Sequence, residues 1–222
     1  MEEYNAVSTP MEVNFKHEAL KREKSESEDL DHLCRNLIGT LMYVMVCTRP
    51  DLCNAISILS RYQSCASEEL WRALKRVLRY IKGTINVSLV FRRNKMENDC
   101  IVGFVDSDWA GDSNDRRSTA GYIFKILNCP VSWISRKQPT VALSSTEAEY
   151  MAMSLAASEA CWLRFIYKDF NVQKEFVCVK LYEDNQSAIK VSKNPEFHKR
   201  LKHVDIKHHF VKEKIRENGY LR

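Results

Sequence analysis

The chain has 222 residues, 45% hydrophobic and 28% charged, with a formal net charge of +5. That length suits one large domain or two small ones, each with its own core. No run of about 18 apolar residues is available to cross a membrane, and MEEYNAVSTPMEV lacks the basic, apolar and small-residue succession of a secretion signal. An intracellular protein, cytoplasmic or nuclear and without a membrane partner, is therefore expected. The modest positive charge permits a polyanionic partner without requiring one, because clustering matters more than the total.

Residues 14–31 (NFKHEALKREKSESEDLD) are dense in both charge signs and poor in large apolar groups, which predicts a solvated tail or linker. Three helical patterns follow. The first, His32 to Cys47, is apolar almost all round and is expected to be buried. The second has Thr48 as N-cap and Pro50 at its first position, with Leu52, Ala55, Ile56, Leu59 and Tyr62 at helical spacing. The third starts at Ser67 with Glu68 and Glu69 in its first turn, as the helix dipole favours. Leu70, Leu74, Leu78 and Ile81 form its apolar face, Arg72, Lys75, Arg76 and Arg79 a basic stripe, and Gly83 its stop.

After Asn98 the period changes, and MEND (residues 96–99) reads as a boundary. Strands are predicted at Ile101–Val105, Gly121–Ile126 and Pro130–Ser135, with Asn128 in a turn. A long helix from Ser145 to Tyr167, a strand from Val177 to Tyr182, a short helix from Gln186 to Ser192 and a helix from Val204 to Arg216 complete the pattern, an α/β layer rather than a bundle. Eight cysteines, at 34, 47, 53, 65, 100, 129, 161 and 178, form no CxxC pair. Most lie in apolar runs and read as reduced, packed thiols.

Three apolar stretches run into acids: IVGFVDSD, SSTEAEYMA and VCVKLYEDNQS. Asp106 closes a predicted central strand, so its carboxylate emerges at the sheet edge where open α/β sheets take ligands. Asp108 and Asp112 read as turn acids around Gly111. On the long helix, Glu149 shares a stripe with Met153, Ala156, Ala160 and Leu163, whereas Glu147 aligns with Ser154 and Ser158 and reads as a first-turn acid. An acid on a buried stripe needs a partner. Asp184 ends the last strand before Asn185; taken alone, the pair is equally compatible with turn chemistry, with Asn185 capping the next helix. Two carboxylates about 4 Å apart repel by roughly 4 kcal/mol at an effective dielectric near 20, so three together call for a divalent cation. His198, His203, His208 and His209 lack zinc spacing and a nearby cysteine. With Lys199, Arg200 and Lys202 they read as a basic helix start suited to phosphate contact.

The ordered motifs NAVSTPM, LIGTLMYVMVCTRPDL, ILSRY, LKRVLRYIKGT, VDSDWAGD, RRSTAGYIFK, SSTEAEYMA, YEDNQSAI and KHVDIKHHF resemble the C-terminal part of the Pol polyprotein of copia-type LTR retrotransposons. The resemblance implies a tail or linker over residues 1–30, the helical end of the reverse transcriptase over 31–97, and a ribonuclease H-like mixed sheet with flanking helices over 98–222. It implies that Asp106, Glu149 and Asp184 are catalytic metal ligands, holding two magnesium ions (manganese being the alternative) that clamp the scissile phosphate of the RNA strand in an RNA–DNA hybrid. It places nucleic-acid contacts at Arg116, Arg117, Lys137, Asn185, Lys199, Arg200, Lys202 and His203, names the upstream reverse transcriptase as a partner, and locates the work in a cytoplasmic virus-like particle or the nucleus. The polymerase palm with its Tyr-x-Asp-Asp acids is absent here, so no DNA synthesis is expected. The family domain continues into another strand and a fourth carboxylate, whereas this chain stops at Arg222, and Asp205 reads as a helix-start acid rather than a substitute. On that expectation the domain lacks its final strand and helix, and cleavage is weak or absent. The alternative is a non-catalytic nucleic-acid-binding remnant.

Overall fold

The structure, a computed structural model, describes residues 4–12, 15, 20, 28–64, 66–91, 101–170 and 179–193. The chain divides into two compact units, Met1–Leu89 and Val90–Arg222. The predicted helix from Val204 to Arg216, the four clustered histidines, Asp205 and the first two residues of the predicted strand at Val177 lie outside the described residues.

The first unit is helical. Helix α1 spans Glu28–Cys47, a 3-10 turn Pro50–Leu52 leads into α2 at Cys53–Leu59, and a second 3-10 turn, Ser60–Tyr62, precedes α3 at Glu68–Gly83. Their shared core holds Ile38, Leu41, Leu52, Ile56, Leu59, Leu70, Leu74 and Val77. Helix α1 begins four residues earlier than its apolar pattern predicts, because Glu28, Asp29 and Asp31 occupy its first turn, where the helix dipole stabilises anions. It is not buried all round: Cys34, Ile38 and Leu41 are covered, while Leu33, Met42, Tyr43 and Val46 are exposed. Thr48 does not cap the second helix, since its hydroxyl donates back to the Val44 carbonyl at 3.3 Å. Ser67 does cap α3, its Oγ accepting from the Leu70 N–H at 3.1 Å.

Described parts of the segment predicted as tail are docked on this unit. Leu20 is fully buried in the core. The α3 basic stripe holds residues 4–12: Arg76 donates to Thr9 Oγ1 at 3.0 Å and Arg79 to the Asn5 carbonyl at 2.7 Å, and Arg76 meets Glu12 at 3.3 Å.

In the second unit, strands β1 (Ile101–Ser107), β2 (Thr119–Ile126) and β3 (Cys129–Lys137) form an antiparallel meander. Leu127 and Asn128 join β2 to β3 with φ of 51° and 64°, the left-handed pair that a two-residue hairpin turn demands. Helix α4 (Ser145–Asp169) then returns the chain to β4 (Val179–Tyr182), which pairs parallel to β1, and α5 (Gln186–Lys193) follows. The strand order is β3-β2-β1-β4. This mixed sheet with flanking helices is the ribonuclease H-like α/β arrangement that the resemblance implies. Helix α4 packs on β1 and β2. Its alanines 156, 157 and 160 bring it close to Val105, Phe124 and Leu181 in one core. At Gly103 a methyl group would strike the Phe124 ring and come within 2.6 Å of Leu181 Cδ2, so only glycine fits where β1 passes beneath both side chains.

Candidate metal centre

Strand β1 continues past its apolar run because pairing with β2 persists: Asp106 faces Gly121 and Ser107 faces Ala120. Asp106 therefore sits inside the strand, not after it. The last parallel pair between β1 and β4 is Phe104 with Tyr182. These rings stack with centroids 5.3 Å apart, and Lys125 Nζ lies 5.1 Å from the centre of the Phe104 ring. Two residues further along each chain come Asp106 and Asp184, on the same face by strand alternation. The stacked aromatics thus fix the register that sets these two acids abreast.

Glu149 arrives from the second turn of α4. Ser144 is the N-cap, its Oγ accepting from the Glu147 N–H at 3.2 Å, and Glu147 Oε2 accepts from the Leu143 N–H at 2.8 Å. Glu147 is the first-turn acid that the sequence suggests, and it is buried there as a cap. Gln138 ties helix to strand: its Nε2 donates to the Ala148 carbonyl at 2.8 Å and to Ser107 Oγ at 3.1 Å. Each of those partners is the immediate neighbour of an acid, Glu149 or Asp106, so this amide locks the two elements at the site.

The result is a convergence of Asp106, Glu149 and Asp184, each offering a carboxylate oxygen within 4.8 Å of the others. Asp106 and Asp184 are exposed, whereas Glu149 is 7% exposed and its Oε2 has no hydrogen-bond partner. Burial, followed by the charges of Glu183, Asp106 and Asp184, pushes the Glu149 carboxyl up to about 8 against a single backbone hydrogen bond from Ser107. A second buried acid, Glu183, escaped the sequence reading. It is 7% exposed, its Oε1 accepts from the Asn185 N–H at 3.0 Å, and its Oε2 is also unpartnered. Burial and then the Asp184 and Asp106 charges push it up to about 7 despite that bond. Its signal was present: it follows inward-facing Leu181 by two residues.

The other candidates are placed differently. Asp108 accepts from the Thr119 N–H, and Asp112 from the Asn114 N–H at 2.9 Å while pairing with Lys137, so both are turn acids as the sequence suggests. Lys137 also meets Asp115 at 2.8 Å, and Arg117 meets the same carboxylate at 3.5 Å. Arg116 is exposed in that loop. Asn185 Oδ1 caps α5, accepting from Ser187 and Ala188 N–H groups, both at 3.0 Å. Lys199, Arg200, Lys202 and His203 lie outside the described residues.

No family model matches the chain. It is 41% identical over 179 residues, 80% of its length, to the retrovirus-related Pol polyprotein from transposon TNT 1-94 of Nicotiana tabacum, and 38% identical over 188 residues, 85% of its length, to that from transposon RE2 of Arabidopsis thaliana. It spans only 13% of either polyprotein. It is also 53% identical over 126 residues to the secreted RxLR effector protein 161 of Plasmopara viticola, matching 57% of this chain and 87% of that protein. Among solved structures, an RNase H1 isolated from compost aligns with 57% of this chain and 84% of its own at 16% identity, with a TM-score of 0.40.

Proposed function

The chain belongs to the retrovirus-related Pol polyproteins of copia-type transposons, and from that footing we propose that its second unit is a metal-dependent ribonuclease acting on the RNA strand of RNA–DNA hybrids. The observation that carries this reading is the convergence of Asp106, Glu149 and Asp184 from three separate elements. The donors fit magnesium: they are hard oxygens, and the buried, unpartnered Oε2 of Glu149 is the kind of atom a cation satisfies. Manganese suits the same set. Asp106, Glu149 and Asp184 would hold the ions, which when bound neutralise phosphate charge and lower the pKa of water.

The chain's own residues do the positioning. Asp106 and Asp184 stand exposed at the open edge, where a phosphate backbone can approach, while Glu149 closes the site from the helix side. Gln138 keeps strand and helix in step. Arg116, Asn185 and the basic group Lys199, Arg200, Lys202 and His203 are the proposed contacts to the hybrid, which the protein would read by backbone and 2′-hydroxyl groups. Lys137 and Arg117 join them only by exchanging acidic partners for phosphate. The first unit is read as the end of the reverse transcriptase, whose upstream portion is its proposed partner. On this reading the work is intracellular, in a cytoplasmic particle or the nucleus.

The test is cleavage of a labelled hybrid in magnesium or manganese by the wild type and Asp106→Asn. The expected result is cation-dependent cleavage that falls roughly 100-fold or more in the variant, the order seen when a principal charge-stabilising group is removed. The alternative reading is a non-catalytic nucleic-acid-binding remnant that uses the same basic groups. Hybrid binding without cleavage, retained in Asp184→Asn, would select it.

A further inference from the structure

We propose that residues 4–12 are a displaceable strap over a face of α3 that takes the phosphate backbone of a nucleic acid. The proposal concerns the first unit alone and is independent of the metal centre. The face is the basic stripe of α3, made by Arg72, Lys75, Arg76, Arg79 and Lys82. At a rise of about 1.5 Å per residue, Arg72 to Lys82 extends over about 15 Å. That is the length of about four phosphates along one strand of a duplex.

The segment now lying on this face matches its charge poorly. Arg79 donates to the Asn5 carbonyl at 2.7 Å and Lys82 to the Tyr4 carbonyl at 3.0 Å. Arg76 donates to Thr9 Oγ1 and meets the exposed carboxylate of Glu12. All of these acceptors but Glu12 are neutral, and Glu12 is the only charged residue from 4 to 12. Hydrogen bonds from a cation to phosphate oxygens are stronger than those to neutral acceptors, so a polyanion competes well for the same donors. The strap is also thinly packed. A cavity of about 620 Å³ lies along it, lined by Arg72, Lys75, Arg76 and Arg79 and, among acids, by Glu12 and Glu69. None of residues 4–12 belongs to the core of the unit. At Gly83 an added methyl group would come within 3.0 Å of Ala6 Cβ and 3.4 Å of the Val7 carbonyl oxygen. The bare glycine is what lets the strap lie against the end of the helix.

The experiment is hybrid binding in a chelator, where no cation-dependent cleavage intervenes, read by fluorescence anisotropy from about 50 to 200 mM salt. Omitting residues 4–11 removes the strap without removing any charge. With Arg79 and Lys82 freed for two further phosphates, the affinity lost over that range is expected to grow roughly tenfold. Arg79→Gln combined with Lys82→Gln should abolish this gain in the strapless chain. In the intact chain, where the strap already holds both cations, the same pair should leave the salt dependence nearly unchanged. An unchanged salt dependence in a folded strapless chain overturns the proposal. An equal effect of the double substitution in both backgrounds also overturns it, since the strap would then mask nothing. If the shortened chain loses its fold, the decision passes to full-length Gly83→Val, whose side chain occupies the place of the strap. The same gain is expected there, and its absence overturns the proposal.

Discussion

Arg49, in the CTRPD stretch, is 6% exposed, and its guanidinium serves three partners. Its Nε and Nη2 fork onto Asp51 at 2.9 and 2.7 Å, Nη2 also donates to Thr84 Oγ1 at 2.6 Å, and the group lies 5.5 Å from the centre of the Tyr80 ring. The pair pins the turn after α1 to the end of α3. Burial pushes the Asp51 carboxyl up, but hydrogen bonds from Arg49 and Tyr80 outweigh it and hold it below its ordinary value. A carboxyl depressed in the folded state contributes stability above its unfolded pKa, and that contribution is lost as pH falls through the folded value. Asp51→Asn should therefore cost about 1–3 kcal/mol at neutral pH, a deficit that narrows below about pH 4. Thermal unfolding of both proteins across that range checks it; a deficit constant with pH would count against the ion pair.

At the scale of elements, the site depends on β1 and β4 lying side by side with no room between them and the core. Gly103 is a tight point between them, since Phe124 is fully buried and cannot swing away from an added methyl group. Gly103→Ala is expected to destabilise the protein by about 1–3 kcal/mol through overpacking. Because Gly103 pairs with Leu181, the same change pushes β4 outward and loosens cation binding at Asp184. Denaturant unfolding with a parallel manganese titration reads both effects. A variant as stable as the wild type would show that the core has slack at this point.

At the scale of the molecule, a net charge of +5 is too small to hold a nucleic acid without clustering. The α3 stripe is partly occupied by residues 4–12, and Lys137 and Arg117 by acids. Hybrid affinity should accordingly rest on few phosphates. Three neutralised phosphates correspond to a loss of roughly 40-fold between about 50 and 200 mM salt. Fluorescence anisotropy across that range measures the slope, and a salt-independent affinity would rule out backbone recognition.

By itself the sequence determined what is local. Helix caps at Ser67 and Asn185, the Asn128 turn, the strand periods and the acids at the ends of apolar runs are each written in a few neighbouring residues, and the structure carries them. Glu149 on the core stripe was legible for the same reason. Only the tertiary structure decided which faces are covered and which strands meet. Helix α1 exposes half of an all-apolar pattern, the charged stretch before it supplies buried Leu20, and Glu147 turns inward as a cap. The register of β1 with β4 joins residues 78 positions apart, as in Phe104 with Tyr182, and no local period encodes that pairing. Glu183 depends on it in part: its alternation and its neighbour Asp184 could be read from the chain, but its nearness to Asp106 and Glu149 comes from packing at long range.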